Sequence, residues 1–193
     1  VLRVAFTPLM EQYFIKPGNS YARISWSGFI KFTLLKDPAL GAQVLWDAGD
    51  WFKLTINTSG FLDMDGTNVS GVATTSVTHH SALVAGTEYT VYFGVIAGVG
   101  GPYDTSNPSA FISVEGGSLV LYEDYTGATY EHPELDMANP PRIYVGADAT
   151  ESTDTKLGAA VSKVGMYRDV VMTDAGVTKD SIFYLTGEEF KDK

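Results

Sequence analysis

The chain has 193 residues, 45% of them hydrophobic and 19% charged, with a formal net charge of −10 at pH 7 and no cysteine. That length suits one domain over residues 1–193, and that apolar share can bury a core, which excludes a disordered segment. The acidic balance favours solubility and opposes nucleic acid as a partner, the missing thiols remove disulfides and thiolate chemistry, and the apolar runs fall far short of the roughly 20 residues that span a bilayer.

In chain order the signals are strands and turns. Ile30, Phe32 and Leu34 alternate with polar residues, as do Phe52, Leu54 and Ile56. Side chains alternate across a strand, so both runs predict half-buried strands, over Phe29–Leu34 and Trp51–Ile56. Asp47-Ala48-Gly49-Asp50 precedes the second run as a turn, and Asn57-Thr58-Ser59-Gly60 follows it as a hairpin would. Asp65-Gly66 predicts a further turn. Tyr89, Val91, Phe93 and Val95 mark the next strand. Glu115-Gly116-Gly117-Ser118 separates Phe111–Val114 from Leu119–Tyr122 as another hairpin. Asn139-Pro140-Pro141 predicts a loop entering the last strands. No helical period is sustained, and only Thr173–Asp180 predicts a short helix. The sum is an all-β sandwich or barrel. The chain opens without an initiator methionine or a signal-peptide pattern, which predicts a processed chain or a piece of a larger protein.

Three stretches resemble one superfamily. Gln43–Asp47 followed by Trp51–Gly60 is similar to its paired strands and Asn/Ser/Gly turn. Ala85-Gly86-Thr87-Glu88-Tyr89-Thr90-Val91 is similar to its Ala-Gly-Thr-Trp-Tyr-His-Val strand. Arg142–Asp148 followed by Val161-Ser162-Lys163-Val164-Gly165-Met166-Tyr167-Arg168 resembles its Ile-Gly pair and Ile-Asp-Glu-Val-Arg-Ile-Tyr-Asn strand. The resemblance is to the laminin G-like and concanavalin A-like superfamily, over about Tyr21 to Val177. It departs at Glu88, where the family has Trp, and at Ser162-Lys163, where it has Asp-Glu; residues 1–20 have no counterpart. The resemblance implies a two-sheet antiparallel jelly-roll sandwich. It does not choose a function, because that superfamily holds lectins, glycan-binding modules, glycosidases, lyases and virion proteins.

Motifs for catalysis are incomplete. Glu134-Leu135-Asp136 starts a Glu-x-Asp-x-x-Glu pattern, but Asn139 stands where the second Glu belongs, and Pro133 and Pro140 oppose a central strand. Asp63-Met64-Asp65-Gly66-Thr67-Asn68 faintly resembles a calcium loop, yet position 12 is Thr74 instead of Glu, so a hairpin turn is the simpler reading. Calcium at a loop rim stays open, and no other cofactor is expected. His79 and His80 would face opposite sides of a strand and cannot share a metal, and His132 belongs to a loop. Asn57-Thr58-Ser59 and Asn68-Val69-Ser70 are glycosylation sequons, which count only in a eukaryotic secretory pathway.

Aromatic residues remain. Tyr103, Tyr125 and Tyr130 lie among Gly, Asp and Thr, with Asp104, Asn107 and Asp124 nearby. An exposed ring offers an apolar face to sugar C–H bonds while carboxylates accept hydroxyl protons. The expected site is therefore Tyr103, Asp104, Asp124, Tyr125 and Tyr130, although tyrosines packed on a sandwich rim would give the same pattern. The first expectation is a non-catalytic recognition module for glycan, displayed on a larger extracellular or virion-surface assembly. The partner is then a glycan or a protein of that assembly, with no membrane insertion; oligomerisation is left open. The alternatives are a structural virion protein, such as a phage capsid decoration or fibre domain, and a glycoside hydrolase or polysaccharide lyase with an unrecognised centre.

Overall fold

The computed structural model describes residues 1–5, 26–49, 52–67, 73–96, 109–115, 142–150, 152–167 and 181–186. These residues form a jelly-roll sandwich of two antiparallel sheets. The strands are β1 (Leu2–Ala5), β2 (Trp26–Leu34), β3 (Gln43–Asp47), β4 (Lys53–Ile56), β5 (Leu62–Thr67), β6 (Ala73–His79), β7 (Glu88–Ile96), β8 (Ser109–Glu115), β9 (Arg142–Val145), β10 (Ala159–Tyr167) and β11 (Ser181–Thr186). One sheet has the order β1-β9-β3-β4-β5-β6 and the other β11-β10-β2-β7-β8. Among the described residues helix is limited to one 3-10 turn, Pro38–Leu40, capped by the Asp37 side chain. The expected helix at 173–180 and the hairpin at 116–122 lie outside the described residues.

The core lies between the sheets and is built by the alternation read in the sequence. Ile30, Phe32 and Leu34 of β2, Leu54 and Ile56 of β4, Val91 and Phe93 of β7 and Val164 and Met166 of β10 are all 0% exposed. Four rings close one pole: Trp26 lies 4.8 Å from Phe52, and Trp46 lies 5.1 Å from Phe93, edge to face. At the opposite pole the Gln43 side chain joins the sheets. Gln43 of β3 donates to the Lys36 carbonyl at 3.1 Å and accepts from Gly158 N at 2.9 Å. Between β2 and β7 the backbones close so tightly at Gly94 that an added Cβ would lie 2.1 Å from the Trp26 carbonyl oxygen.

Two expectations are corrected. Asp65-Gly66 is not a turn but the interior of β5, where Leu62 and Met64 point into the core and Asp63 and Asp65 point out. The apparent calcium loop is the same strand read as a loop; its Asp-x-Asp spacing is the two-residue period of a strand face. The second correction concerns β2. It is not half-buried throughout, because Ser27 and Phe29 are buried although they face away from the core, at 0% and 1% exposure.

The Asn57–Gly60 hairpin stands as read. Asn57 Oδ1 accepts from Ser59 N at 2.9 Å and Phe61 N at 3.1 Å, while its Nδ2 donates to Asp63 at 2.8 Å. The sequon amide is thereby committed to holding the turn. Gly60 completes it at φ 82°, with the Leu83 carbonyl 2.9 Å from where a Cβ would sit.

Candidate functional site

The outward face of the five-stranded sheet carries a polar row above an aromatic one. Register places Lys163 of β10 opposite Lys31 of β2, Lys31 opposite Thr90 of β7, and Thr90 opposite Glu115 of β8. Each alternates with core residues on its own strand, so the four side chains share the outer face, Lys163, Lys31 and Glu115 half-buried and Thr90 buried at 7% exposure. The next rung is Gly165, Phe29, Tyr92 and Ser113. Phe29 stacks between Tyr92 and Tyr167 with ring centroids 5.9 Å away on each side. These three rings and Phe111 are at most 1% exposed. Buried aromatics thus form a stiff floor beside the charged row, and stacked rings of this kind add about 1 kcal/mol per pair beyond their buried area.

The row is electrically polarised. Lys31 Nζ lies 3.0 Å from Glu88 Oε1. Tyr92 Oη donates to Glu115 Oε2 at 3.4 Å. Lys163, half-buried, makes no salt bridge with a described residue. The cationic end therefore sits on β10 and β2, and the anionic end on β7 and β8. Such a strip can donate from ammonium groups at one end and accept hydroxyl protons at the other. Sequence reading missed these residues. Lys31 and Lys163 become neighbours only through strand order and register, although Val161 and Val164, both apolar and three apart, signal the bulge between them.

The expected site residues Tyr103, Asp104, Asp124, Tyr125 and Tyr130 lie outside the described residues, as do His132, Glu134 and Asp136. Their anchors are described. Ile96 and Ser109, which flank the stretch holding Tyr103 and Asp104, pair with each other at the pole of the four core rings. The stretch holding Asp124, Tyr125 and Tyr130 starts after Glu115, the anionic end of the row, and re-enters the described fold at Arg142.

The outer face of the six-stranded sheet is occupied by structural hydrogen bonds. Asp63 accepts from Asn57 and from Thr78 Oγ1, the latter at 2.7 Å. Asp47, 5% exposed, accepts from Gly49 N at 2.8 Å and Ala149 N at 3.1 Å, with Lys53 Nζ at 3.5 Å. In the adjoining loop, Thr155 Oγ1 donates to Asp148 at 2.6 Å and Thr150 Oγ1 at 2.7 Å. These bonds hold the Asp148 carboxyl at about 2, below its ordinary 3.8. No group of three or more His, Asp or Glu side chains among the described residues is arranged to hold a metal ion. His79 is buried and His80 exposed, on opposite sides of the strand end as their adjacency requires. No helix among the described residues is long and apolar enough to cross a membrane.

No protein-family model matches the chain, and no curated protein matches it. Solved structures do. The chain is similar to the CBM40 of the Ruminococcus gnavus IT-sialidase, at 19% identity over 80% of this chain and 81% of that one, with a TM-score of 0.51. The same CBM40 bound to α2,3-sialyllactose matches at 16% identity over 79% and 80%, again at 0.51. The K499G mutant of the NanB sialidase from Streptococcus pneumoniae matches at 15% identity and 0.53, over 81% of this chain but only 24% of that one. At these identities the likeness is one of fold: the chain shares the lectin-like jelly roll of these proteins.

Proposed function

We propose that the chain is a single non-catalytic glycan-recognition domain of the concanavalin A-like kind, and that the outward face of its five-stranded sheet is the binding surface. The observation that carries this is the row Lys163, Lys31, Thr90 and Glu115 beside the buried stack of Phe29, Tyr92 and Tyr167. A pre-formed surface of hydrogen-bonding groups on rigid strands suits sugar hydroxyls, which need fixed partners more than buried area. The fold supports the reading, since the Ruminococcus gnavus CBM40 with the same jelly roll has been solved with sialyllactose bound. Tyr103, Asp104, Asp124, Tyr125 and Tyr130 are proposed to add aromatic and acceptor groups at the rim.

A shallow site binds weakly, on the order of −4 to −5 kcal/mol, or roughly millimolar. Display in many copies on an extracellular or virion surface, which we propose as its setting, would raise the effective affinity without new contacts. Glycan-array binding of the multimerised domain tests the reading, and binding to no glycan would refute it.

One observation favours a second reading, glycoside hydrolysis: Glu88 and Glu115 lie on the same sheet face. Glu88, however, has a 55% exposed side chain tied to Lys31, whereas a general acid in such a site is desolvated. Release of reducing ends that E115Q abolishes would support hydrolysis over recognition.

A further inference from the structure

The strand β10 contains a bulge whose consequence is a pair of like charges. Val161 is opposite Phe32 and packs against the core, and the next registered pair is Lys163 with Lys31. Ser162 is the extra residue, and its Oγ donates to the Lys31 carbonyl at 3.2 Å. Regular alternation would send residue 163 to the same side as Val161. The bulge reverses the phase, so that Val164 is inward and Lys163 outward, beside Lys31. Bulges commonly re-aim one side chain next to a binding site.

Like charges directly opposite each other on one sheet face oppose folding. Glu88 offsets the charge of Lys31 at 3.0 Å, but no described carboxylate offsets Lys163. The bulge thus places an ammonium that no carboxylate among the described residues pairs with. An anionic ligand would convert that cost into binding.

Resting on the glycan-binding reading above, we infer that the ligand is an anionic sugar, whose carboxylate or sulfate group sits on Lys163 and Lys31 while its neutral hydroxyls extend toward Glu115 across Thr90, which is itself only 7% exposed. Glu115, at the far end of the row, would repel the anionic group and so sets that orientation, while Glu88, paired with Lys31 at 3.0 Å, leaves Lys163 as the stronger anchor. The chain's net charge of −10 disfavours long polyanions at a distance. Over the Debye length of about 8 Å at physiological salt, however, remote carboxylates are screened, and Lys31 and Lys163 stand against the one described carboxylate beside them, Glu88. The class is therefore a glycan with one isolated acidic residue, not a densely charged polymer.

The test uses the intact domain, multimerised, against matched pairs: α2,3-sialyllactose with lactose, and a singly sulfated oligosaccharide with its unsulfated parent. The inference expects binding to the acidic member of at least one pair, with its neutral counterpart weaker by about tenfold. Binding should fall as salt rises. K163E should weaken it by about tenfold or more and K163M by less. K156M removes an exposed lysine elsewhere and should leave it unchanged. Melting of each variant at or above that of the parent separates lost binding from lost folding. Equal binding of neutral and acidic members, or full binding by K163E, would overturn the anionic class while leaving glycan recognition standing. No binding to either member of any pair would overturn both.

Discussion

Lys163 stands directly opposite Lys31 across β10 and β2, on the face turned away from the core, and a bulge at Ser162 puts it there. The placement makes stability and binding move in opposite directions. K163E replaces a like-charge pair by a complementary one, a change worth a few tenths of a kcal/mol to about 1 kcal/mol in such positions. Thermal melting of K163E is expected at or slightly above that of the parent, with binding to an acidic sugar reduced. A clear fall in melting temperature would mean that Lys163 has a stabilising partner, and would remove the reason for reading it as a ligand contact.

Val164 tests the strand itself. It is 0% exposed in the interior strand of the five-stranded sheet, between β2 and β11. V164D buries an unpaired carboxylate, at a cost of several kcal/mol. Cooperative thermal unfolding should be lost, and an unfolding curve like the parent's would refute the assignment of β10.

Asn57 and Asp63 make one local network with Thr78. N57A removes three hydrogen bonds from the β4–β5 turn and should cost about 1–2 kcal/mol in denaturant unfolding. D63A removes the acceptor shared by Asn57 and Thr78. Because the two residues share a bond, the double variant should lose less than the sum of the singles. Strict additivity would show that the bond contributes nothing.

Asp148 supplies a pH dependence. Its carboxyl is held at about 2 in the fold, against an ordinary 3.8, chiefly by the Thr155 and Thr150 hydroxyls. A depressed carboxyl stabilises the fold above the unfolded value, and that stabilisation is lost as pH falls from near 3.8 toward 2. The melting-temperature gap between the parent and D148N should be full near pH 6 and should narrow across that window. A gap that stays constant to pH 2 would contradict the assigned bonds.

Local periodicity and turn chemistry specify most strands and the Asn57–Gly60 hairpin, whereas pairing between distant strands has no local signal. The two-residue periods at Ile30–Leu34, Phe52–Ile56 and Tyr89–Phe93 gave strands and core together, because alternation is a property of each segment alone. Asn57–Gly60 was legible because Asx turns and a left-handed Gly carry their own chemistry. Asp65-Gly66 carries a turn signature although it lies in β5, since a strand showing carboxylates on its outer face uses the residue types that turns favour. The lysine pair was out of reach. It requires strand order, register and a bulge to bring Lys31 beside Lys163, and no local pattern states which strands are neighbours. The buried side of Phe29 was missed for the same reason. The tyrosines of the expected rim, at 103, 125 and 130, lie outside the described residues, so the aromatic part of the expectation rests on the sequence.

The central claim is that sugar binds the outward face of the five-stranded sheet. The most direct measurement is an amide chemical-shift titration of the isotopically labelled domain with the best glycan from the array. Saturable shifts should centre on Lys31, Thr90, Glu115 and Lys163, with Asp47, Asp63 and Asp65 of the other sheet unmoved. Shifts centred on that six-stranded sheet, or no saturable shift with any glycan, would contradict the account.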